Sequence, residues 1–128
     1  MTKADMAIVM ENIFEECGAL RGAGQAEYAH REENAFANFE RVAERQGLDR
    51  KQVLMVYVEK HIDGIHSYIK GHKSQREDVR GRINDLIVYM CLLRGMIDEE
   101  NFGAPADISA PAGLQYVSPP GEDNDAPF

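Results

Sequence analysis

The chain has 128 residues, which is enough for one domain with a modest core and too few for two. Its 22 acidic and 14 basic residues give a net charge of −8, and no basic face indicates direct nucleic-acid binding. No apolar run reaches the length of a membrane span and the first residues do not resemble a signal peptide, so we expect a cytoplasmic protein.

The first predicted helix covers residues 3–20. Its apolar side chains recur at helical spacing along one stripe: Met6, Met10, Ile13, Cys17 and Leu20. We expect this helix to end at residues 21–24, because glycine adopts the positive φ that often closes a helix. The second predicted helix covers residues 31–46 and stops at Gly47 for the same reason. Its inward-facing residues are predicted to be Phe36, Phe39 and Ala43.

The third and fourth predicted helices begin at capping-box signals, in which two side chains three residues apart satisfy unpaired backbone N–H groups. Asp49 and Gln52 mark the start of the third helix, and Ser74 and Glu77 mark the start of the fourth. Their apolar stripes are Leu54, Val58, His61, Ile65 and Tyr68, and then Val79, Ile83, Leu86, Met90, Leu93 and Ile97. This 4-3 spacing favours shallow crossing angles, so we predict an all-α, antiparallel four-helix bundle over residues 1–100.

Residues 101–128 differ in composition from the rest of the chain. They contain all five prolines and four acidic residues, with no Lys or Arg. Half of the net charge therefore lies in this segment. Such a composition does not support a packed core, so we predict an extended or disordered acidic tail.

The two cysteines, Cys17 and Cys91, fall on apolar helical faces. A thiol in that position behaves as a small hydrophobic group, so both are predicted to be buried and free. Two isolated buried thiols indicate a reducing compartment and argue against a zinc site.

Some apolar residues lie off the main stripes of the third and fourth helices: Val56, Ile87, Val88 and Cys91. A helix that is apolar over a wide arc needs a partner on more than one side. A bundle of this size offers few such partners. We therefore predict a homodimer or a higher homo-oligomer.

A polar cluster is predicted between the helices. Two helices joined by a short turn fold back on each other, so residues equally distant from the turn lie at one level. The turn near residues 72–73 places Lys60 and His61 level with Asn84 and Asp85. Burying an unpaired charge on an apolar stripe costs several kcal/mol or forces it to neutralise. The cluster is therefore either a hydrogen-bonded structural network or a ligand site.

The same argument at the Gly47–Leu48 turn brings Asn34, and within one helical turn Asn38, to the level of His61. On the fourth helix, Asp78, Arg82, Asp85 and Tyr89 lie along one side. Structural interpretations exist for several of them. His61 fits the pattern of a hydrogen-bonded core histidine. Lys60 and Asp85 could form an ordinary interhelical ion pair. Asp78 fits the pattern of an acidic residue in the first turn of a helix, where the helix dipole favours it.

Short segments of the chain resemble a known group of proteins. Glu27-Tyr28-Ala29, Asn38-Phe39, Lys60-His61 and residues 82–89 are similar, in that order, to small phage-encoded helical proteins of the MazG-like and nucleotide-modification-associated group. The resemblance covers about residues 20–97. It implies an all-α bundle, and the better-known members are Mg²⁺-dependent nucleoside triphosphate pyrophosphohydrolases.

The sequence departs from the metal motif of those enzymes, which is an ExxE pair on one helix and an ExxD pair on the next. Asp85 matches the last acid, but Arg82 occupies the position three residues before it. Mg²⁺ prefers oxygen ligands, and the cations Arg82 and Lys60 favour an anion at this position instead. If the chain is nevertheless such an enzyme, its metal ligands are predicted to be Glu33, Asp78 and Asp85.

The leading hypothesis is a phage-type helical protein that binds a nucleotide or similar anionic small molecule in a polar pocket, without a cofactor. The predicted ligand-binding residues are Tyr28, Asn34, Asn38, Lys60, His61, Arg82, Asp85 and Tyr89. The second hypothesis is a divergent Mg²⁺-dependent pyrophosphohydrolase. The third is a phage inhibitor of a host protein that acts through its acidic tail.

Overall fold

The computed structural model describes residues 1–28, 34–72 and 76–103, with the side chains of residues 24–28 left aside. Its four helices are α1 (Lys3–Tyr28), α2 (Ala37–Gln46), α3 (Arg50–Ile69) and α4 (Val79–Phe102). These ranges contain no strand, so the all-α prediction is confirmed. None of the described helices is long and apolar enough to cross a membrane. The predicted tail lies outside the described residues from residue 104 onward.

Helix α1 continues past the predicted stop at residues 21–24 and ends at Tyr28. That prediction was wrong because Gly22 and Gly24 do not take a positive φ. A glycine inside a helix costs about 1 kcal/mol relative to alanine, which does not by itself end the helix. The following residues, Gln25, Ala26 and Glu27, all favour helix.

The boundary between α2 and α3 follows the predicted signals. Gly47 closes α2 with φ 64°, and its backbone N–H donates to the carbonyl of Ala43. Asp49 caps α3 by accepting the backbone N–H of Lys51, and Gln52 completes the capping box. Helix α2 itself begins at Ala37, later than predicted, although its inward-facing residues are those expected.

Helix α4 begins one residue after Asp78, which is its N-cap. The Asp78 carboxylate accepts the backbone N–H of Arg80 at 2.9 Å and also pairs with the Arg80 guanidinium. The predicted capping box was therefore wrong: Ser74 lies outside the described residues, and Glu77 precedes the helix. Asp78 provides an equally good cap four residues later, which leaves the Glu77 carboxylate free of a capping role.

The core is built from α2, α3 and α4, and α3 packs against both of the others. Its buried residues are Phe36, Phe39, Ala43, Val53, Leu54, Val58 and Met96. Contacts between α3 and α4 occur in opposite sequence order. Arg50 at the start of α3 binds Glu99, whereas Gly64 near its end lies against Arg82. Helix α1 packs mainly on α4, where Cys17 is buried.

The face that α4 turns to the core differs from the predicted stripe. Ile83, Met90 and Ile97 are exposed, and the helix packs inward through Leu86, Tyr89, Leu93 and Met96 instead. Cys91 is also exposed, so the prediction of two buried thiols holds only for Cys17. The prediction is confirmed for Leu86 and Leu93 and wrong for Ile83, Met90 and Ile97. The inward face begins with polar residues, which hydrophobic periodicity does not detect.

Helix α1 leaves much of its predicted stripe exposed: Met6, Met10 and Leu20. Val9 and Ile13 are half-buried, and Cys17 donates to the backbone carbonyl of Asn84 at 3.7 Å. Because α1 rests on α4 and contributes no residue to the core cluster, one side of its apolar face has no cover within the described chain.

Candidate functional site

His61 and Asp85 meet between α3 and α4, as the turn geometry predicted. His61 belongs to the core stripe of α3 and is 8% exposed. Its Nδ1 atom lies 3.6 Å from Oδ2 of Asp85. That distance is too long for a hydrogen bond, so the two groups are neighbours without being bonded.

Arg82 reaches the same place one turn earlier on α4. Its side chain is 11% exposed, and Nη1 lies 3.8 Å from Oε2 of Glu77. The guanidinium lies flat against Gly64 of α3, where an added Cβ would come within 2.5 Å of Cζ. Glycine at this position therefore permits the close approach. A glycine inside a predicted helix was the available sequence signal for this contact.

We call His61, Glu77, Arg82 and Asp85 the α3–α4 polar site. Two of its buried nitrogen atoms, Nδ1 of His61 and Nε of Arg82, have no hydrogen-bond partner among the described residues. Native proteins satisfy nearly all buried polar groups, and leaving one unsatisfied costs about 1–3 kcal/mol. Both such atoms belong to one site, so the described residues leave two buried nitrogen atoms there without a polar partner.

Burial and charge act in opposite directions on Asp85. Burial is the largest effect and raises the pKa of this carboxyl group. The negative charge of Glu77 raises it further, whereas His61 and Arg82 lower it. The net effect is a raised pKa, so ionisation of Asp85 lowers the stability of the folded protein.

Three possible metal-ligating atoms converge in the site. One atom each from His61, Glu77 and Asp85 lies within 4.8 Å of the other two. Glu77 was missed as a site residue at the sequence level, because its carboxylate was assigned to a capping box with Ser74.

Aromatic rings border the imidazole. The Tyr89 ring centroid lies 5.6 Å from that of His61. Tyr57 stacks on Tyr89 with ring centroids 6.2 Å apart, and Phe39 meets both tyrosines edge-on. These rings hold the imidazole from the core side, so its orientation is fixed by packing.

Other predicted site residues lie elsewhere. Lys60 is exposed. An ion pair between Lys60 and Asp85 was one of the structural interpretations, but Asp85 lies beside His61 instead. Asn34 donates to Glu40 at 2.6 Å, in a different cluster. Asn38 is half-buried in α2, and no hydrogen bond between described residues joins it to the α3–α4 polar site.

Three further predictions concern residues at the edges of the described ranges. The Tyr28 side chain and the whole of Glu33 lie outside what the structure describes. Asp78, predicted as a metal ligand if the chain is an enzyme, serves as the N-cap of α4 and pairs with Arg80. Of the predicted acids, Asp85 is therefore the one that the described structure places in the site.

A second charged cluster forms around Arg50 at the opposite end of α3. Its guanidinium binds Glu40 at 2.9 Å and Glu99 at 3.1 Å, and donates to the backbone carbonyl of Met96. It also lies over the Phe36 ring at 5.1 Å. These groups satisfy one another, so we interpret this cluster as a structural tie among α2, α3 and α4.

Comparisons with protein-family models, curated proteins and solved structures found no match to this chain. The resemblance to MazG-like proteins stays a prediction.

Proposed function

We propose that this protein binds a nucleotide or a similar anionic small molecule at the α3–α4 polar site, within an antiparallel four-helix bundle. The observation that carries the proposal is the pair of buried nitrogen atoms on His61 and Arg82 that lack partners. The Nε–H group of Arg82 donates to phosphate, carbonyl or hydroxyl oxygens, and Nδ1 of His61 either donates to such an oxygen or accepts through its lone pair.

Each side chain of the site has a role in this proposal. Arg82 binds phosphate oxygens, and its 3.8 Å contact with the half-exposed Glu77 is long enough to be exchanged for a ligand. Asp85 accepts hydrogen bonds from a base or a sugar, and Tyr89 supports the imidazole of His61. Lys60, exposed on the neighbouring helical position, is the weakest of the predicted contributors.

Calorimetric titration with a panel of nucleotides and deoxynucleotides, with and without Mg²⁺, tests the proposal. We expect at least one of them to bind more tightly than about millimolar. Arg82→Gln should weaken that binding by about tenfold or more, the value of a charge-assisted hydrogen bond. Arg94→Gln is the matched control, because Arg94 is an exposed arginine of the same helix paired with Asp98. Absence of binding across the panel, or equal weakening by both variants, would contradict the proposal.

A second candidate function is a divergent Mg²⁺-dependent nucleoside triphosphate pyrophosphohydrolase. It is favoured by the approach of the Glu77 and Asp85 carboxylates to one another, since paired carboxylates hold Mg²⁺ against substrate phosphates. Release of pyrophosphate from nucleoside triphosphates that requires Mg²⁺ and is lost in Asp85→Asn would support it. Binding without turnover would leave the protein as a nucleotide-binding module.

We also propose that the chain forms a homo-oligomer. The exposed apolar residues of α1 and α4 support this proposal, because large apolar groups gathered on neighbouring helices favour association with a second copy. The main members of this surface are Met6, Met10 and Phe14 of α1 and Ile83, Met90 and Ile97 of α4.

A further inference from the structure

We infer that His61, Glu77 and Asp85 bind one first-row transition-metal ion, of the class that includes Mn²⁺, Co²⁺ and Zn²⁺. The site offers one imidazole nitrogen and two carboxylate oxygens. This inference goes beyond nucleotide binding and holds whether or not a nucleotide binds.

The distances between the ligating atoms fit a shared ion. With metal–ligand bonds of about 2.1 Å, neighbouring ligands of one ion lie about 3–3.5 Å apart. Nδ1 of His61 and Oδ2 of Asp85 are 3.6 Å apart, which is too far for a hydrogen bond and close to this separation. The Glu77 oxygen completes a group spanning no more than 4.8 Å, so small side-chain movements bring all three onto one ion.

The burial and the unpaired nitrogen of His61 point independently to a ligand. The residue is 8% exposed, its Nδ1 atom has no hydrogen-bond partner among the described residues, and that atom lies 3.6 Å from the Asp85 carboxylate. A structural histidine of the core would be expected to bond this nitrogen within the protein. A metal ion would satisfy it through its lone pair.

The donor set selects the class of metal. Imidazole nitrogen suits Zn²⁺, Co²⁺ and Fe²⁺, and carboxylates are accepted by all of these and by Mn²⁺, whereas Mg²⁺ and Ca²⁺ prefer oxygen alone. Arg82 lies 3.8 Å from Glu77, and its positive charge opposes cation binding. We therefore expect a dissociation constant on the order of micromolar, weaker than that of a closed structural zinc site. Three protein ligands leave positions open for water or a substrate oxygen.

The test uses the full chain, stripped with a chelator and titrated with Mn²⁺ or Co²⁺ alone. Free Mn²⁺ is measured by electron paramagnetic resonance, and Co²⁺ by its visible absorption, which changes when an imidazole nitrogen enters the coordination sphere. We expect one ion per chain. His61→Gln and Asp85→Asn should each weaken binding by at least tenfold, as should Glu77→Gln.

Matched controls separate this site from general attraction to an acidic protein. His66→Gln removes an exposed histidine of α3, and Asp98→Asn removes an aspartate of α4 outside the site. Both should leave metal binding unchanged. Glu77 is half-exposed and precedes α4, so Glu77→Gln keeps the test valid if substitution of His61 prevents folding.

Three results would overturn the inference. They are no saturable binding of Mn²⁺ or Co²⁺ below about millimolar, equal effects of the site variants and their controls, and binding of Mg²⁺ as tight as that of Mn²⁺. Since no nucleotide is present, failure here leaves the nucleotide proposal untouched, and the reverse also holds.

Discussion

Asp85 is an acidic residue whose burial in the α3–α4 polar site lowers the stability of the fold when its carboxyl group is ionised. Its carboxylate lies between two helices, close to a second carboxylate, and its side chain is 32% exposed. Burial raises its pKa above the ordinary value of 3.8. At a pH between the ordinary pKa and the raised pKa, the folded protein binds more protons than the unfolded chain. The free energy of unfolding therefore falls as the pH rises through this interval. Above the raised pKa the whole penalty is present.

We therefore expect Asp85→Asn to stabilise the metal-free protein at pH 7, because the amide does not need to ionise inside the site. The gain should shrink as the pH falls toward 4, where the native carboxyl group becomes protonated. Urea unfolding at several pH values measures this difference. Asp63→Asn, at an exposed position of α3, is the control and should show no such trend. A destabilised Asp85→Asn variant at pH 7 would show that the carboxylate is held by partners stronger than those described here.

At the scale of helices, the sequence predicts the position of a residue along the helix axis better than the direction in which the residue points around that axis. The short turn after α3 set His61 level with Asp85, and the structure confirms that level. Lys60 and His61 are adjacent and differ by about 100° around α3, so only one can face α4. Matching residues by their distance from the turn could not decide which of the two faces α4. On α4 the inward face starts with Arg82 and Asp85, so a search for apolar residues found Leu86 and Leu93 but missed the polar part of this face.

Local signals were reliable where one side chain decides the backbone. Asp49 with Gln52 and the αL residue Gly47 were predicted and are present. Signals were less reliable where two residues could play the same role. Ser74 and Asp78 are both good caps, and the choice between them determines whether Glu77 is a capping residue or a member of the site. Tertiary packing of Arg82 against Gly64 carries no local signature apart from the glycine itself.

Gly64 gives a prediction about the contact between α3 and α4. Gly64→Ala should displace the Arg82 guanidinium, because the new Cβ would lie 2.5 Å from Cζ. The movable end of a side chain can yield, and alanine favours helix by up to about 1 kcal/mol, so the free energy of unfolding should change by no more than about that amount. Nucleotide binding should weaken as it does in Arg82→Gln.

Gly18→Ala is the control for Gly64→Ala, since a Cβ at residue 18 of α1 meets nothing within 4 Å. It should raise the free energy of unfolding by about 0.5–1 kcal/mol and leave nucleotide binding unchanged. Denaturant unfolding and calorimetry on both variants provide the two measurements. Unchanged nucleotide binding in Gly64→Ala would separate the position of Arg82 from ligand recognition.

At the scale of the whole molecule, the described residues leave several large apolar side chains exposed. Helix α1 rests on α4, where Ile83, Met90 and Ile97 are exposed, and its own Met6 and Phe14 are also exposed. The core cluster is confined to the other three helices. A second copy covering these side chains would give α1 the packing that the described part of its own chain does not supply.

Light scattering should therefore give a mass that is a multiple of 14.4 kDa. Met90→Lys should shift the mass toward a single chain, because a charge on a buried apolar interface costs several kcal/mol. Leu48→Lys is the control: Leu48 is an exposed apolar residue between α2 and α3 and is not among the residues of α1 and α4 named for this surface. A mass equal to one chain for the unmodified protein would refute the oligomer.

The arrangement of charge around Arg82 has a consequence for the order in which ligands arrive. Apart from the imidazole, two carboxylates and one guanidinium give this part of the surface a single negative charge. This charge opposes the approach of a phosphate except at its contact with Arg82, whereas a bound divalent ion reverses the sign to positive. A nucleotide would then bind more tightly to protein already loaded with the ion, and by linkage a bound nucleotide would raise the affinity for the metal by the same factor.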